Sequence, residues 1–148
     1  MKIFKAETVD LQTASFLFDL YRQFYKQKSD IDSAKLFLSE RILKNESVIF
    51  LAANEQTNEG MGFVQLYPSF SSVSLKKIWI LNDLFVHENY RRKGVAEALI
   101  EKSRLLCIET DAKGLILETD KSNASAQRLY DKTGFKKDKD HFYYILRV

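Results

Sequence analysis

Apolar residues along this chain recur at two different spacings, and the alternation between them predicts its elements. Residues 2–7 read as a short strand. Over residues 9–27 the apolar positions follow helical spacing, which places Leu11, Phe16, Leu17, Leu20 and Phe24 on the predicted inner face. A second helix is predicted over residues 32–44, with Leu36, Phe37 and Ile42 inward and Asp32 or Ser33 as its cap. Residues 47–53 read as a buried strand, and the polar stretch 54–59 as a turn into a strand over residues 61–67. Beyond Pro68 and a serine-rich bend, residues 74–86 form a long apolar strand interrupted by Asn82 and Asp83. A helix over residues 94–109 follows, with Val95, Leu99 and Leu106 inward, and then a short strand over residues 114–119. The pattern closes with a helix over residues 123–132, stopped by Gly134 as a left-handed C′ residue, and a terminal strand over residues 142–148.

Strand, helix, strand across residues 78–119 is a βαβ unit, so its two strands are expected to be parallel and joined by a right-handed crossover. The predicted class is α/β, a mixed sheet with an antiparallel front half, a parallel pair at its centre and flanking helices. With 148 residues the chain is expected to form a single domain over residues 1–148.

Composition narrows the function classes. A net charge of +3 demands neither a nucleic acid nor an anionic membrane as partner. No apolar run approaches the roughly 20 residues needed to cross a bilayer, and residues 1–10 lack the apolar core of a signal peptide. Cys107 is the only cysteine, so an internal disulfide and a cysteine zinc site are excluded. The two histidines, His87 and His141, have no second ligand at metal spacing, so no metal is expected. A reduced, soluble, cytoplasmic protein is the expectation.

Charge is locally uneven, and this points to chemistry. Arg91, Arg92 and Lys93 sit in the turn between the strand ending at Val86 and the helix that opens at Gly94, Val95 and Ala96. The first turn of a helix presents unpaired N–H groups and partial positive charge, and a glycine there lets an anion approach the backbone. No P-loop and no GxGxxG pattern is present. The competing reading is a solvated basic loop before an ordinary amphipathic helix. Downstream, Asn123, Ala126 or Gln127, and Tyr130 share one helical face, where a ligand would meet an amide, a small residue and a phenol. The alternative there is that Asn123 caps the helix while Leu129 and Tyr130 fill a core.

Arg91-x-x-Gly94-x-Ala96, following Leu84-Phe85-Val86, resembles the coenzyme-A pyrophosphate loop of the GNAT family of N-acetyltransferases. The run from Asn123 through Ala126, Leu129, Tyr130, Lys132, Gly134 and Phe135 resembles that family's NxxAxxLYxKxGF signature at every position. The resemblance implies acetyl-coenzyme A as acetyl donor, lying where the two parallel strands splay apart. It assigns the pantetheine arm to backbone groups of Leu84, Phe85 and Val86. It assigns the pyrophosphate to the loop of Arg91, Arg92, Lys93, Gly94, Val95 and Ala96. Asn123 and Ala126 would line the other side, and Tyr130 would touch the donor as well as act on it.

Acyl-transfer chemistry then asks for an oxyanion donor, which a backbone N–H among residues 84–86 can supply, and an acid for the leaving thiolate. Tyr130 is the expected acid, since a tyrosine hydroxyl ordinarily titrates near pH 10 and is protonated at neutral pH. Asp83 is a catalytic candidate with three open roles: base, electrostatic anchor for a cationic amine, or structural hydrogen-bond partner. Asn82 and Asp83 are similar to an acidic pair of the diamine and polyamine branch, although Asn82 stands where that branch has glutamate. Tyr21, Tyr25 and Asp30, with Asp19 and Asp32 nearby, would complete the amine wall. The leading expectation is transfer to a primary amine of a small molecule, such as a polyamine or an amino acid. Transfer to protein lysines or N-termini, and coenzyme-A sensing without turnover, are the alternatives. Family habit adds a homodimer.

Overall fold

In the computed structural model, which describes residues 1–148, five strands build one mixed sheet: β1 (Lys2–Lys5), β2 (Val48–Ala53), β3 (Gly60–Ser71), β4 (Lys76–Val86) and β5 (Leu115–Ile116). They lie in the order β1-β2-β3-β4-β5. The first three pairings are antiparallel, and β4 and β5 are parallel, as the βαβ pattern predicts. Helices α1 (Leu11–Phe24) and α2 (Ile31–Leu43) precede β2, and α3 (Val95–Glu109) makes the crossover from β4 to β5. These elements form one compact unit, Met1–Glu118; residues Thr119–Val148 form a second, built on α4 (Ala124–Lys132).

One layer of core joins α1 and α2 to the sheet through Leu17, Phe18, Ala34 and Leu38 against Ile49, Leu51, Phe63 and Phe85. Burying one such leucine or phenylalanine contributes about 1.5–3 kcal/mol. Across the sheet, α3 buries Val95, Leu99, Ile100 and Cys107, and the Trp79 indole N–H donates to Thr110 Oγ1 at 2.9 Å. Leu106, expected inward, is half-buried, because the α3 stripe runs through Ser103 and Cys107.

The helices seat on small residues that a reading weighted toward large apolar side chains passes over. Ala14 and Ser15 carry the inner face of α1, so Phe16 and Phe24 turn outward. Ala34 and Leu38 carry that of α2, which leaves Leu36 and Phe37 exposed and Ile42 half-buried. The cap of α2 is Asp30, whose carboxylate accepts from the Ser33 N–H at 3.0 Å, rather than Asp32 or Ser33.

Strand β3 does not stop at Pro68 as expected; it continues to Ser71. Pro68 lies opposite Trp79, whose N–H is directed away from β3 to Gly114 O, so no N–H is needed from Pro68 toward β4. On the other side β2 has already ended, its last partner on β3 being Leu66. A second correction falls at the C-terminus. Residues 142–148 form no strand, and Phe142, Tyr143, Tyr144, Ile145 and Leu146 are exposed. A strand exists only as part of a ladder, and α4 is the single regular element within Thr119–Val148, so that unit holds no partner for it.

The close of α4 follows the sequence expectation. Gly134 is left-handed at φ 97°, Phe135 N–H donates to Tyr130 O at 3.0 Å and Gly134 N–H to Asp131 O at 3.3 Å. This is a Schellman stop, completed by an edge contact between the Tyr130 and Phe135 rings at 5.5 Å.

Asp19, buried on α1, ties that helix to the connection into α2. Its carboxylate accepts from Ser29 Oγ at 2.7 Å, the Asp30 N–H at 2.8 Å and Gln23 Nε2 at 2.9 Å. Burial opposes its ionisation, but these bonds and the Arg22 charge prevail and hold it below the ordinary carboxylate value. A folded-state value below the unfolded one means stability that is present above about pH 4 and lost as pH falls through the folded value. Asp19→Asn is therefore expected to lower the melting temperature at pH 7, by about 1–3 kcal/mol in unfolding free energy. The gap from the parent should narrow in melts taken below about pH 4; a gap independent of pH would show that the charge plays no part.

Candidate active site

The last third of β4 is shaped by a bulge. Gln65 lies opposite Asp83 but Leu66 lies opposite Leu81, so Asn82 is an extra residue with no partner on β3. The extra residue shifts the alternation of faces. Trp79 packs toward α3, whereas Phe85 joins the core under α1 and α2, and Asp83, two residues before it, shares that face.

Beyond the bulge β4 is bonded on one edge only. β5 pairs with Trp79 and Ile80 and goes no further, whereas β3 continues opposite Leu84, Phe85 and Val86. The His87 N–H donates to Met61 O at 2.9 Å, so by alternation Phe85 turns its groups to β3, and Leu84 and Val86 turn theirs to the open edge. On that edge Val86 O accepts from Arg91 Nε at 3.2 Å. The strands are held close here by Gly62, where an added Cβ would stand 2.5 Å from Phe85 O.

A one-turn 3₁₀ helix, Glu88–Tyr90, and the turn of Arg91, Arg92, Lys93 and Gly94 lead from that edge into α3. Arg92 (φ 60°) and Gly94 (φ 77°) are both left-handed. Gly94 is the N-cap of α3 and supplies no side-chain acceptor, so the first N–H groups of the helix project past it. A Cβ added at Gly94 would meet nothing within 4 Å. Open space, uncapped donors and the positive end of a 15-residue helix suit a phosphate group. The basic cluster is organised: Arg91 folds back on Val86, and Lys93 Nζ lies 5.4 Å from the centre of the Tyr90 ring. The Tyr90 hydroxyl donates to Glu59 Oε2 at 2.7 Å, and this bond, with burial and the Glu59 charge, raises its pKa.

Asp83 sits in a polar layer under α1 and α2. Only 4% of it is exposed, and Oδ2 accepts from Gln65 Nε2 at 2.7 Å while Oδ1 accepts from Asn82 Nδ2 at 3.0 Å. Ser47 Oγ donates to Gln65 Oε1 at 3.1 Å, which fixes the orientation of that fully buried amide. Tyr67, two residues along β3 from Gln65, has its phenol pushed up to about 12, first by burial and then by the Asp83 charge, with Arg41 opposing. Gln65, Ser47, Tyr67 and Gly62 were not among the sequence candidates. Gln65 carried a signal, as the one hydrogen-bonding amide inside an otherwise apolar strand.

The expected amine wall divides. Tyr21 and Tyr25 meet edge to face at 5.0 Å, and Tyr21 also approaches Phe63 at 5.8 Å and Phe85 at 6.4 Å. Both tyrosines thus belong to the aromatic layer that reaches the open part of β4. Asp30 stands at the start of α2, which it caps, and the bonds from Ser33 lower its pKa. In the second unit, Asn123 is the N-cap of α4, its Oδ1 accepting from the Ala126 N–H at 3.1 Å, and Tyr130 takes part in the Schellman stop. The cap matches the alternative that the sequence left open, but Leu129 and Tyr130 do not fill a core, since no residue of α4 is buried.

Known proteins share this arrangement. The chain is 43% identical to the uncharacterized N-acetyltransferase YhfO of Bacillus subtilis over 148 residues, which is 100% of this chain and 98% of that one. It is 35% identical to a probable acetyltransferase of Haemophilus influenzae over 92% of this chain and 90% of that one. The crystal structure of a probable acetyltransferase superposes with a TM-score of 0.96 at 40% identity, covering 100% of this chain and 98% of the other. The sequence profile of the acetyltransferase (GNAT) family matches residues 14–135. With the split between β4 and β5 and the bare helix start at Gly94 beside it, this match establishes that the chain belongs to the acetyltransferase (GNAT) family.

Proposed function

We propose that this acetyltransferase takes its acetyl group from acetyl-coenzyme A and transfers it to a primary amine of a small molecule, within a single functional domain. The observation that carries the reading is one juxtaposition. The open edge at Leu84 and Val86 runs, within ten residues, into the uncapped start of α3 at Gly94. An extended amide-bearing arm can add to the first as a further strand would, and a pyrophosphate can rest on the second.

When bound, acetyl-coenzyme A supplies an activated thioester. The N–H of Leu84 or Val86 on the open edge would hold the oxygen on which charge develops. Removing one such donor typically slows acyl transfer about 10²–10³-fold. Asp83, already held on both oxygens, is better suited to anchor an ammonium ion than to swing as a mobile base. A water drawn to the same carboxylate would then take the amine proton. Tyr130 would hand its hydroxyl proton to the departing sulfur; support for this role is the NxxAxxLYxKxGF resemblance and the rigid Schellman stop around it.

The reading is tested by following thiol release from acetyl-coenzyme A against diamines, polyamines, amino acids, aminoglycosides and lysine peptides. Turnover of small amines is expected; turnover of the peptides alone, or binding of acetyl-coenzyme A with no turnover, would overturn it. Gly94→Val should raise the dissociation constant of acetyl-coenzyme A about tenfold or more by calorimetry, since a β-branched residue is strained at φ 77° and fills the space above the helix start. Unchanged affinity would remove the α3 terminus from the site. Tyr130→Phe keeps the ring that packs on Phe135 and removes only the hydroxyl. It should lower kcat by about 10²-fold or more with affinity for acetyl-coenzyme A preserved; an unchanged kcat would rule out the tyrosine as acid.

A further inference from the structure

From the wall around Phe85 we infer the chemical class of the acceptor: a monoamine with an aryl or bulky alkyl body, not a polycation. The inference rests on the acetyl-transfer reading above and narrows it. Phe37 on α2 stacks on Phe18 at 5.8 Å and an interplanar angle of 3°, and Phe18 stacks on Tyr21 at 6.0 Å. Tyr21 then reaches Phe85, which is on the strand segment proposed to hold the acetyl donor. Tyr25 and Phe24 extend the same layer, their rings 5.3 Å apart. This aromatic layer is continuous with the proposed site, yet its outer members are not core: Phe24 is 57% exposed, Tyr25 50% and Phe37 37%. Exposed rings contiguous with a reaction site offer apolar and π contact to the body of a bound molecule.

Most of the acidic groups beside this wall are held by the protein's own donors. Asp19 accepts three hydrogen bonds, from Gln23, Ser29 and the Asp30 N–H, and Asp30 caps α2. Glu40 is paired with Arg41, which also pairs with Glu46. Asp32 remains, in the first turn of α2, where it complements the positive end of its own helix. The wall also carries two guanidinium groups, Arg22 on α1 and Arg41 on α2. A single ammonium can be met by Asp83 and the rings, whereas further positive charges on the same molecule would meet Arg22 and Arg41 on the same wall. In the reaction the amine nitrogen bonds to the acetyl carbon as the thioester carbon–sulfur bond breaks, one amine proton leaves, and the sulfur gains one.

The test measures initial rates of thiol release by the full chain with acetyl-coenzyme A and five acceptors: phenethylamine, methylamine, spermidine, kanamycin and a pentapeptide with a free N-terminus. Phenethylamine should have the highest kcat/KM, about tenfold or more above spermidine and kanamycin, as expected for a ring entering an apolar subsite. Tyr25→Ala should raise the KM for phenethylamine about fivefold to tenfold, several times more than it raises the KM for methylamine, with the KM for acetyl-coenzyme A unchanged. Tyr25→Phe should restore the parent KM. A preference for spermidine, kanamycin or the peptide, or a Tyr25→Ala effect equal on phenethylamine and methylamine, would overturn the inference while leaving acetyl transfer in place. Release with none of the five would instead overturn the reading on which it rests.

Discussion

Strand β4 is bonded on both edges at Trp79 and Ile80 and on one edge at Leu84, Phe85 and Val86. That change from two neighbours to one is the constraint on which the rest of the structure depends. A β5 that ran the full length of β4 would leave no free edge at Leu84 and Val86, and a strand bonded on neither edge would not hold its shape. The protein keeps the first option closed by making β5 two residues long, and the second by binding β4 tightly to β3. Gly62 brings the two backbones together at Phe85, and the Gln65–Asp83 hydrogen bond crosses between them next to the bulge at Asn82. A strand stabilised from one side in this way can keep its other edge unpaired at little cost to register.

The polar layer beneath α1 and α2 belongs to the same design. Burying a carboxylate is expensive unless its oxygens are satisfied, and Asp83 meets that condition through Gln65 and Asn82, with Ser47 fixing Gln65 in turn. Hydrogen bonds to a charged group contribute about 1.5–3 kcal/mol each, so the layer is stable only when complete. The fold therefore carries a carboxyl group, held on both oxygens, one strand position from Leu84 without relying on a mobile side chain.

Much of the architecture was legible in the sequence because it rests on periodicity. The βαβ crossover, the amphipathic α3, and the Gly134 stop each follow from local pattern and were found where expected. The basic turn at Arg91, Arg92 and Lys93 was legible for a similar reason, since strand end, charge and glycine are adjacent in sequence. What was not legible depends on pairing between distant residues. The Gln65–Asp83 bond joins positions eighteen apart, and nothing near Gln65 says which face it occupies until the bulge sets the register. The inner faces of α1 and α2 were legible in part: Leu11 and Leu17 are buried as expected, but Phe16, Phe24, Leu36 and Phe37 are not, because alanine and serine set the closest approach. The strand expected over residues 142–148 shows the same limit: a run of aromatic and β-branched residues indicates that a segment can pair, not that a partner lies beside it. Acidic residues near a predicted amine site were ambiguous as well, since Asp30 as a helix cap and Asp30 as a ligand have identical local sequence.

Pro68 has an effect beyond its own strand. Past Leu66 the β3–β4 hairpin continues without β2, so its outer edge, with exposed Phe70 near the tip, is a surface on which another extended chain could template. A proline in that stretch removes one of the donors such a guest strand would need, and Lys76 and Lys77 on the companion strand add like charge for any second copy approaching in the same way. The arm can thus stay long and twisted in crowded solution without becoming the seed of an intermolecular sheet.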